Sequence, residues 1–351
     1  MTPVLPPLPG PVAAPGEFRF SAAGLDHGHI YGMVRGLLEA GAELDAVWDP
    51  DPGKTAAFLR AFPQARAVQN LEEILESSVQ MVACAAVPDR RCALGLQVME
   101  AGKDYFVDKA PMTTLDQLEQ ARRAVVRTGR KYMVYYSERL HSEAATLADL
   151  LIRQGAIGRV IHMEGFGPHR LDPASRPGWF FEKQRYGGIL CDIGSHQLEQ
   201  FLYFTGAEQA RVDLARKANY GHPQYPELED FGDCSVTAEN GATGYFRVDW
   251  FTPDGLSNWG DGRTFLLGTD GYIELRKYVD IASGTHRENM VYWVDRDGEH
   301  VLDATGQVGC PFFGRLIRDC LDRTETAMTQ EHAFRAAELC LRAQALADGI
   351  R

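Results

Sequence analysis

Lys109 closes the apolar run Asp104-Tyr105-Phe106-Val107-Asp108 and is followed by Ala110-Pro111. A lysine at the C-terminal end of a parallel strand points into the crevice where open α/β sheets bind ligands. There its ammonium can donate to a substrate oxygen or take part in proton transfer. The plainer alternative is a surface lysine that ends a strand. Farther on, Gly187-Gly188-Ile189-Leu190-Cys191-Asp192-Ile193-Gly194-Ser195-His196 leads into Leu198, Phe201 and Leu202, with Gly206 as a stop. That spacing predicts a helix from about Ile193, with Asp192 and His196 on one face near its N-terminus. Three chemistries are open there: an N-cap Asp beside an incidental His, two metal ligands, or a carboxylate that orients a catalytic imidazole. A closed metal site needs further ligands at telling spacing; only His169 and His222 stand in loops nearby, so no metal is expected.

The first apolar run ends at Gly24-Leu25-Asp26-His27-Gly28-His29, and a helical pattern follows. A dinucleotide fold places its glycine turn against the pyrophosphate at this point, which makes Gly24, His27, Gly28 and His29 candidate contacts. Counted from Gly24, the second and third glycine positions hold Asp26 and His29, and an ionised Asp26 would repel a pyrophosphate unless it points away. The bland alternative is a plain strand-to-helix turn. The next run ends at Val47-Trp48-Asp49, 25 residues past Gly24. About 20 is usual for the acid that binds adenosine ribose hydroxyls, so Asp49 favours NAD over NADP, because a carboxylate repels a 2′-phosphate. Its competing role is a turn, with Asp51 as the N-cap of the following helix.

The segment before the Asp/His helix, Gly167-Pro168-His169-Arg170-Leu171 through Ser175-Arg176-Pro177-Gly178-Trp179-Phe180-Phe181, could wall a substrate. Trp179 could stack on a sugar face, and Arg170 or Arg176 could bind a carboxylate or phosphate. Equally, the aromatics could be core and the arginines could pair with surface acids.

These residues need a scaffold, and the apolar patterning supplies one. Strand-like runs at 18–23, 43–48, 80–86, 104–107 and 131–137 alternate with helical patterns at 30–40, 52–62, 89–101 and 114–128. That alternation is the mark of stacked βαβ units, so residues 17–139 read as an α/β doubly wound parallel sheet of the Rossmann type. After a helix at 142–154 the texture changes to strand runs at 159–165, 211–219, 233–239, 243–251, 264–267, 272–277, 290–294 and 300–302. Turns at Asn240-Gly241, Asp270-Gly271 and Asp297-Gly298 join several of them as hairpins, and helical patterns at 311–323 and 330–347 close the chain. Residues 140–351 therefore read as an α+β substrate-binding and oligomerisation domain with an open, largely antiparallel sheet. Its few helices leave one face to be covered by a second copy, as a homodimer or homotetramer. Residues 1–16 read as a flexible Pro-rich leader.

Composition narrows the partners. With 36 Lys plus Arg against 48 Asp plus Glu the net charge is −12, and no basic run offers a local exception, so neither nucleic acid nor an anionic membrane is an expected partner. Seven cysteines without a C-x-x-C pair suggest reduced, buried thiols. The first 17 residues hold six prolines and no apolar stretch, so a signal peptide is not expected and the expected location is the cytoplasm.

The glycine-turn βαβ unit, the Asp108-Lys109 pair after the fourth strand and G-G-x-x-x-D-x-G-x-H at 187–196 together resemble the Gfo/Idh/MocA oxidoreductases, the group of glucose–fructose oxidoreductase and inositol dehydrogenase. Val87-Pro88-Asp89, Gly155-Ala156-Ile157-Gly158-Arg159-Val160 and Gly268-Thr269-Asp270-Gly271 strengthen the resemblance, which covers nearly the whole chain after the leader. It implies an NAD(P)-dependent dehydrogenase or reductase acting on the hydroxyl-bearing carbon of a sugar- or cyclitol-like small molecule. Lys109 would hydrogen-bond the reacting hydroxyl, His196 would be the general base, and Asp192 would hold substrate or imidazole. Val87 and Pro88 would join the cofactor contacts. Two rival uses of the same fold are an NAD-using glycosidase and a non-catalytic dinucleotide-binding regulator. Three positions depart from the family pattern: Asp26 replaces a glycine, Ala110 replaces the proline after the lysine, and Cys92 replaces a histidine. Loss of that proline predicts a trans Lys109–Ala110 peptide, since cis costs ~2.5–4 kcal/mol at a non-proline residue.

Overall fold

Strands buried on both faces need unbroken apolar runs, and the first half of the chain supplies them. In the computed structural model, which describes residues 2–284 and 287–349, they become β1 (Arg19–Ala23), β2 (Glu43–Trp48), β3 (Arg66–Ala67), β4 (Met81–Cys84), β5 (Asp104–Asp108) and β6 (Tyr132–Tyr135). These strands form one parallel sheet in the order β3-β2-β1-β4-β5-β6, with helices at His29–Glu39, Pro52–Ala61, Pro88–Glu100 and Leu115–Thr128 between them. β3 and the short helix Leu71–Leu75 were not expected: the first is two residues long and the second five, too short for a periodicity to register. The order reverses between β1 and β4, so the C-terminal ends of β1, β4 and β5 open a crevice at that point.

The second half builds an eight-stranded sheet from β7 (Val160–Pro168), β8 (Ala210–Ala218), β9 (Phe231–Ala238), β10 (Thr243–Asp249), β11 (Arg263–Gly268), β12 (Tyr272–Arg276), β13 (Met290–Asp295) and β14 (Gly298–Asp303). Every neighbouring pair is antiparallel except β7 with β10. The expected turns at Gly241, Gly271 and Gly298 join β9 to β10, β11 to β12 and β13 to β14. One face carries Met163, Phe246, Leu266 and Ile273, all buried beneath helices. The other face presents Leu214, Leu267, Tyr272 and Val301 to the surface.

Two details set the position of the chemistry. The helix expected from about Ile193 is broken there: Asp192 ends a short helix, Ile189–Asp192, and His196 lies in the next, Gly194–Thr205. That second helix settles close to β7 because Gly165 and Gly167 leave room for it, and a Cβ on Gly165 would stand 2.2 Å from Gln197 Oε1. The Pro-rich segment expected to be a free leader instead runs against the body. Val12 N–H donates to Ala40 O at 2.9 Å, and the Gln154 side chain holds both backbone groups of Val4.

Close backbone approach also governs the β11–β12 turn, where a Cβ on Gly268 would lie 2.0 Å from the carbonyl oxygen of Ile157. Backbone cannot swing aside as a side-chain tip can. Gly268→Ala should therefore lower stability by about 1–3 kcal/mol, the usual cost of overpacking; an unchanged urea midpoint would contradict this packing.

Candidate active site

The crevice begins at Gly24, which leaves β1 at φ +72° and whose Cβ would stand 2.7 Å from that of Ala86. Only glycine fits this turn. Gly28 then opens the helix His29–Glu39, whose N-terminal dipole suits a pyrophosphate; the His29 N–H donates to His27 Nδ1 at 3.3 Å, and those of Ile30 and Tyr31 donate to the carbonyl oxygens of His27 and Gly28. Asp26 does not oppose this. One of its oxygens pairs with Lys54 and the other accepts the Val87 N–H at 3.1 Å, so its charge is matched and it ties the turn to the start of the helix Pro88–Glu100. Asp49 ends β2 as expected and is buried; its oxygens accept the N–H groups of Leu25 at 2.6 Å and Asp51 at 2.8 Å. Each oxygen keeps a lone pair beyond those bonds. The residues present fit a dinucleotide.

Asp108, at the end of β5, is sealed from solvent and gathers three partners. His29 Nδ1 lies 2.8 Å from one oxygen, and His27 Nδ1 and Arg91 Nη2 each lie 3.0 Å from the other. Burial would raise its pKa, but His29, Arg91 and His27 outweigh burial and hold the carboxyl well below its usual range. A carboxylate only accepts, so His29 Nδ1 carries the hydrogen toward Asp108, whereas His27 Nδ1 also accepts the His29 backbone N–H at 3.3 Å. The donor atoms of His27, His29 and Asp108 lie within 4.8 Å of one another, a spacing that a divalent ion could also use. Because Arg91 already balances the carboxylate, the set reads as two imidazoles oriented by hydrogen bonds.

Arg91 is 1% exposed and does more than pair with Asp108. Its Nε donates to Ala86 O at 2.6 Å, and one Nη donates to the carbonyl oxygens of both Lys109 and Ala110. The Lys109–Ala110 peptide between those carbonyls is cis, contrary to the trans bond expected without a proline. The physical circumstance absent from the sequence argument is this guanidinium, which binds both sides of the peptide. Sequence reasoning passed over Arg91, yet there was a signal. It falls on the buried stripe of its helix with Pro88, Cys92, Gly95, Val98 and Met99, where an arginine must find internal partners. Cys92, on that stripe, has its thiol pushed up to about 12 by burial.

Of the three expected catalytic residues, Lys109 and Asp192 are in contact and line one cavity, while His196 is not among the residues that line it. Lys109, buried, pairs with Asp192, whose carboxyl sits at about 2 because Lys109 overcomes the opposing effect of burial. His196 is 2% exposed, its ring centroid lies 6.2 Å from that of His29, and its Nδ1 has no hydrogen-bond partner. Burial first, then Lys109, His29 and His169, lowers its pKa to about 3 against the pull of Glu138. His196 is therefore neutral at physiological pH. His169 is likewise brought down to about 4, chiefly by burial.

A cavity of about 400 Å³ lies between these groups and the second half, with His27, His29, Lys109 and Asp192 on one side and His169, Trp179, Trp250 and Trp259 on the other. Trp179 thus lines the cavity as expected. Arg170 also borders it, but one nitrogen of its guanidinium donates to the carbonyl oxygens of Pro253, Leu256 and Asn258, tying down that loop. Arg176 donates to the carbonyl oxygens of Leu171 and Arg170 and lies over the rings of Phe180 and Trp250. Part of each guanidinium is thus taken up by backbone acceptors, while Arg170 Nε has no hydrogen-bond partner and lies 3.5 Å from the exposed Asp254. Phe180 is buried core, the alternative reading of that aromatic run. His222, the other loop histidine, lies 2.9 Å from Asp230 and is not among the residues around the cavity.

The neutral histidines make the fold sensitive to acid. His169 and His196 bind protons more readily unfolded, near pH 6.5, than folded, near 4 and 3, so stability is lost as pH falls below about 6.5. Each contributes up to about 1.4 kcal/mol per pH unit. Paired carboxyls at about 2, such as Asp192 and Glu199, extend the loss from about pH 4.5 downward. The urea midpoint should hold between pH 7 and 8 and fall steadily from pH 6.5 to 4.5; a flat midpoint across that range would show these imidazoles to be solvated.

The geometry has close counterparts. The profile for the NAD-binding Rossmann fold of this oxidoreductase family matches residues 24–136, and the profile for the GFO/IDH/MocA C-terminal domain matches residues 146–274. The chain is 26% identical over 242 residues to scyllo-inositol 2-dehydrogenase (NAD(+)) of Bacillus subtilis, a match that spans 66% of each protein. The NADP(+) scyllo-inositol 2-dehydrogenase IolW of the same organism is 26% identical over 193 residues, and the chain spans 53% of its length. A crystal structure assigned only as an oxidoreductase, from Erwinia carotovora atroseptica, superimposes with a TM-score of 0.90 at 51% identity, covering 93% of this chain and 98% of that one. Levoglucosan dehydrogenase in complex with NADH shares the fold, with a TM-score of 0.77 at 17% identity over 95% of this chain and 97% of its own. The two matched domains, which meet at the crevice lined by Lys109 and Asp192, place this chain in the Gfo/Idh/MocA family of NAD-binding oxidoreductases.

Proposed function

We propose that the chain is an NAD-dependent dehydrogenase or reductase that acts at a hydroxyl-bearing carbon of a sugar- or cyclitol-like molecule. The observation that carries this reading is the buried Lys109–Asp192 pair beside a neutral His196, at the mouth of a dinucleotide crevice and facing an aromatic wall. Bound NAD would supply the hydride acceptor, held by the Gly24 turn, the N-terminal dipole of the helix after Gly28, Asp49, and Val87 with Pro88. His27 and His29, fixed on Asp108, would line the passage between cofactor and substrate.

With NAD bound as the hydride acceptor, oxidation of the alcohol carbon to a carbonyl would release the hydroxyl proton, and His196 would accept it. Lys109 donates to the reacting oxygen and stabilises it as negative character develops. Asp192 holds the ammonium in place. Trp179, Trp250 and Trp259 offer flat apolar faces to the C–H faces of a ring, which favours a sugar- or cyclitol-like substrate. Retention of all three polar residues argues against a purely regulatory role. A glycosidase use of the same fold would turn over without net formation of NADH, so absorbance of reduced nicotinamide separates the two.

With scyllo-inositol, D-xylose and levoglucosan as probes, His196→Asn should lower kcat by ~10²–10⁴ at neutral pH, and Lys109→Met should lower kcat/KM comparably. NAD affinity should stay within about threefold, because neither side chain faces the adenosine half. Turnover by both variants within about threefold of wild type would sink the assignment. The uncovered sheet face, with Leu214, Leu267, Tyr272 and Val301, supports self-association, so light scattering at micromolar concentration should report a dimer or tetramer rather than a monomer.

A further inference from the structure

The chain carries a net charge of −12, yet the cavity beside Lys109 is lined by three cations and two carboxylates: Lys109, Arg170 and Arg176 against Asp26 and Asp192. Each carboxylate already has its own cation, Asp26 pairing with Lys54 and Asp192 with Lys109. Arg170 has the exposed Asp254 at 3.5 Å. Arg176 stands apart, because no carboxylate among the described residues lies within ion-pair distance of its guanidinium. The imidazoles of His27 and His169, brought down to about 4 chiefly by burial, add no charge at neutral pH. One cation on the wall of this cavity is thus left without a counter-charge from the chain.

The same guanidinium is held in place. Its Nε donates to Leu171 O at 2.8 Å, Nη2 donates to Arg170 O at 3.2 Å, and Cζ lies 4.7 Å from the ring centre of Phe180 and 5.1 Å from that of Trp250. Nη1 has no acceptor, and it is not one of the sealed polar atoms. Burial lowers the pKa of Arg176 against the pull of Asp192 and Asp172, as expected of a cation short of both water and a close anion. On the same wall the indole N–H of Trp179, a residue 8% exposed, also lacks an acceptor. A guanidinium fixed by two carbonyls and two rings loses little freedom on binding, and its planar edge matches the two oxygens of a carboxylate. We infer that Arg176 binds a carboxylate of the substrate, so that the molecule oxidised or reduced beside Lys109 is a polyhydroxy monocarboxylate, an aldonate or a uronate. The inference rests on the hydride-transfer reading above and narrows its substrate class. A single unmatched cation balances a single negative charge, which favours a carboxylate over a phosphate dianion. Neutral sugars meet the same tryptophan wall without this contact, and bind more weakly.

Matched acid and neutral probes test this: D-glucuronate with D-glucose, D-galacturonate with D-galactose, and D-gluconate with D-sorbitol. Each is titrated into the NAD-loaded full chain, with tryptophan fluorescence reporting binding and absorbance reporting NADH. At least one acid should bind about 10-fold or more tightly than its neutral partner, the scale of a charge-assisted hydrogen bond. Arg176→Met should remove that preference, raising Kd and KM for the acid about 10–100-fold, with kcat, NAD affinity and the Kd of the neutral partner within about threefold. Arg176→Lys keeps the charge without the planar edge and should retain part of the preference. If no acid binds more tightly than its neutral partner, or if Arg176→Met leaves the acid affinity unchanged, the inference is overturned; NADH formed from a neutral sugar would then leave hydride transfer standing without it. A fall in NAD affinity in Arg176→Met also overturns it, because the anion served is then a cofactor phosphate. An Arg176-dependent preference for acids with no NADH from any probe keeps the carboxylate site and counts against hydride transfer. Should Arg176→Met fail to fold, the wild-type pairs and Arg176→Lys decide by the same criteria.

Discussion

The ion pair between Lys109 and Asp192 joins the two halves of the molecule at the point where they must act together. Lys109 extends from β5 of the parallel sheet, and Asp192 ends the short helix that precedes the helix carrying His196. Both charges are taken out of water, which is costly, and their attraction offsets that cost only where the geometry is held firmly. The rest of the crevice supplies that firmness. Arg91 grips the backbone on both sides of the Lys109–Ala110 peptide, and the broken helix at Ile193 turns Asp192 toward the lysine while leaving His196 on the following segment. Removing either partner of such a pair leaves an uncompensated buried charge, worth about 3–5 kcal/mol.

Charge matching at short range is the pattern throughout the site. Asp26 is matched by Lys54, Asp108 by Arg91, Asp192 by Lys109 and Glu138 by Lys277. The histidines among these pairs are left to respond to burial, and His169 and His196 are held neutral. A neutral imidazole in a site lined with settled ion pairs is free to accept a proton. Acid weakens the same arrangement, because the folded site resists the proton that the unfolded chain accepts.

The substrate side follows a different logic. Trp179, Trp250 and Trp259 project from loops around β7 and β10, and the arginines beside them spend part of their donors on loop carbonyls. What faces the cavity there is flat and largely apolar, with polarity on the Lys109 side and at Arg176. Glycines set how close these layers come. Gly24 admits the turn against Ala86, and Gly165 admits the helix of His196 against β7, so the distances between cofactor crevice, base and wall are fixed by where a side chain is missing.

Much of this was written in the sequence because it is local. Unbroken apolar runs against helical spacing specified two sheets of different kinds, Asn-Gly and Asp-Gly turns specified hairpins, and Lys109, Asp192 and His196 stood out as polar residues at element ends. What the sequence could not determine were pairings between residues far apart in the chain. Asp26 looked hostile to a dinucleotide until Lys54 and the Val87 amide were found around it. A trans peptide followed from the loss of a proline, but the guanidinium of Arg91 is supplied by another helix. Arg170 had the donors for an anion, yet one of its nitrogens is turned to three carbonyls of the loop at 253–258. Glu138 and Lys277, 139 residues apart, carried no local signal at all. The physical reason is common to all four. Backbone preference and hydrophobic period act over a few residues, whereas the partner of a buried charge or donor is chosen by whichever distant segment the fold brings within about 3 Å.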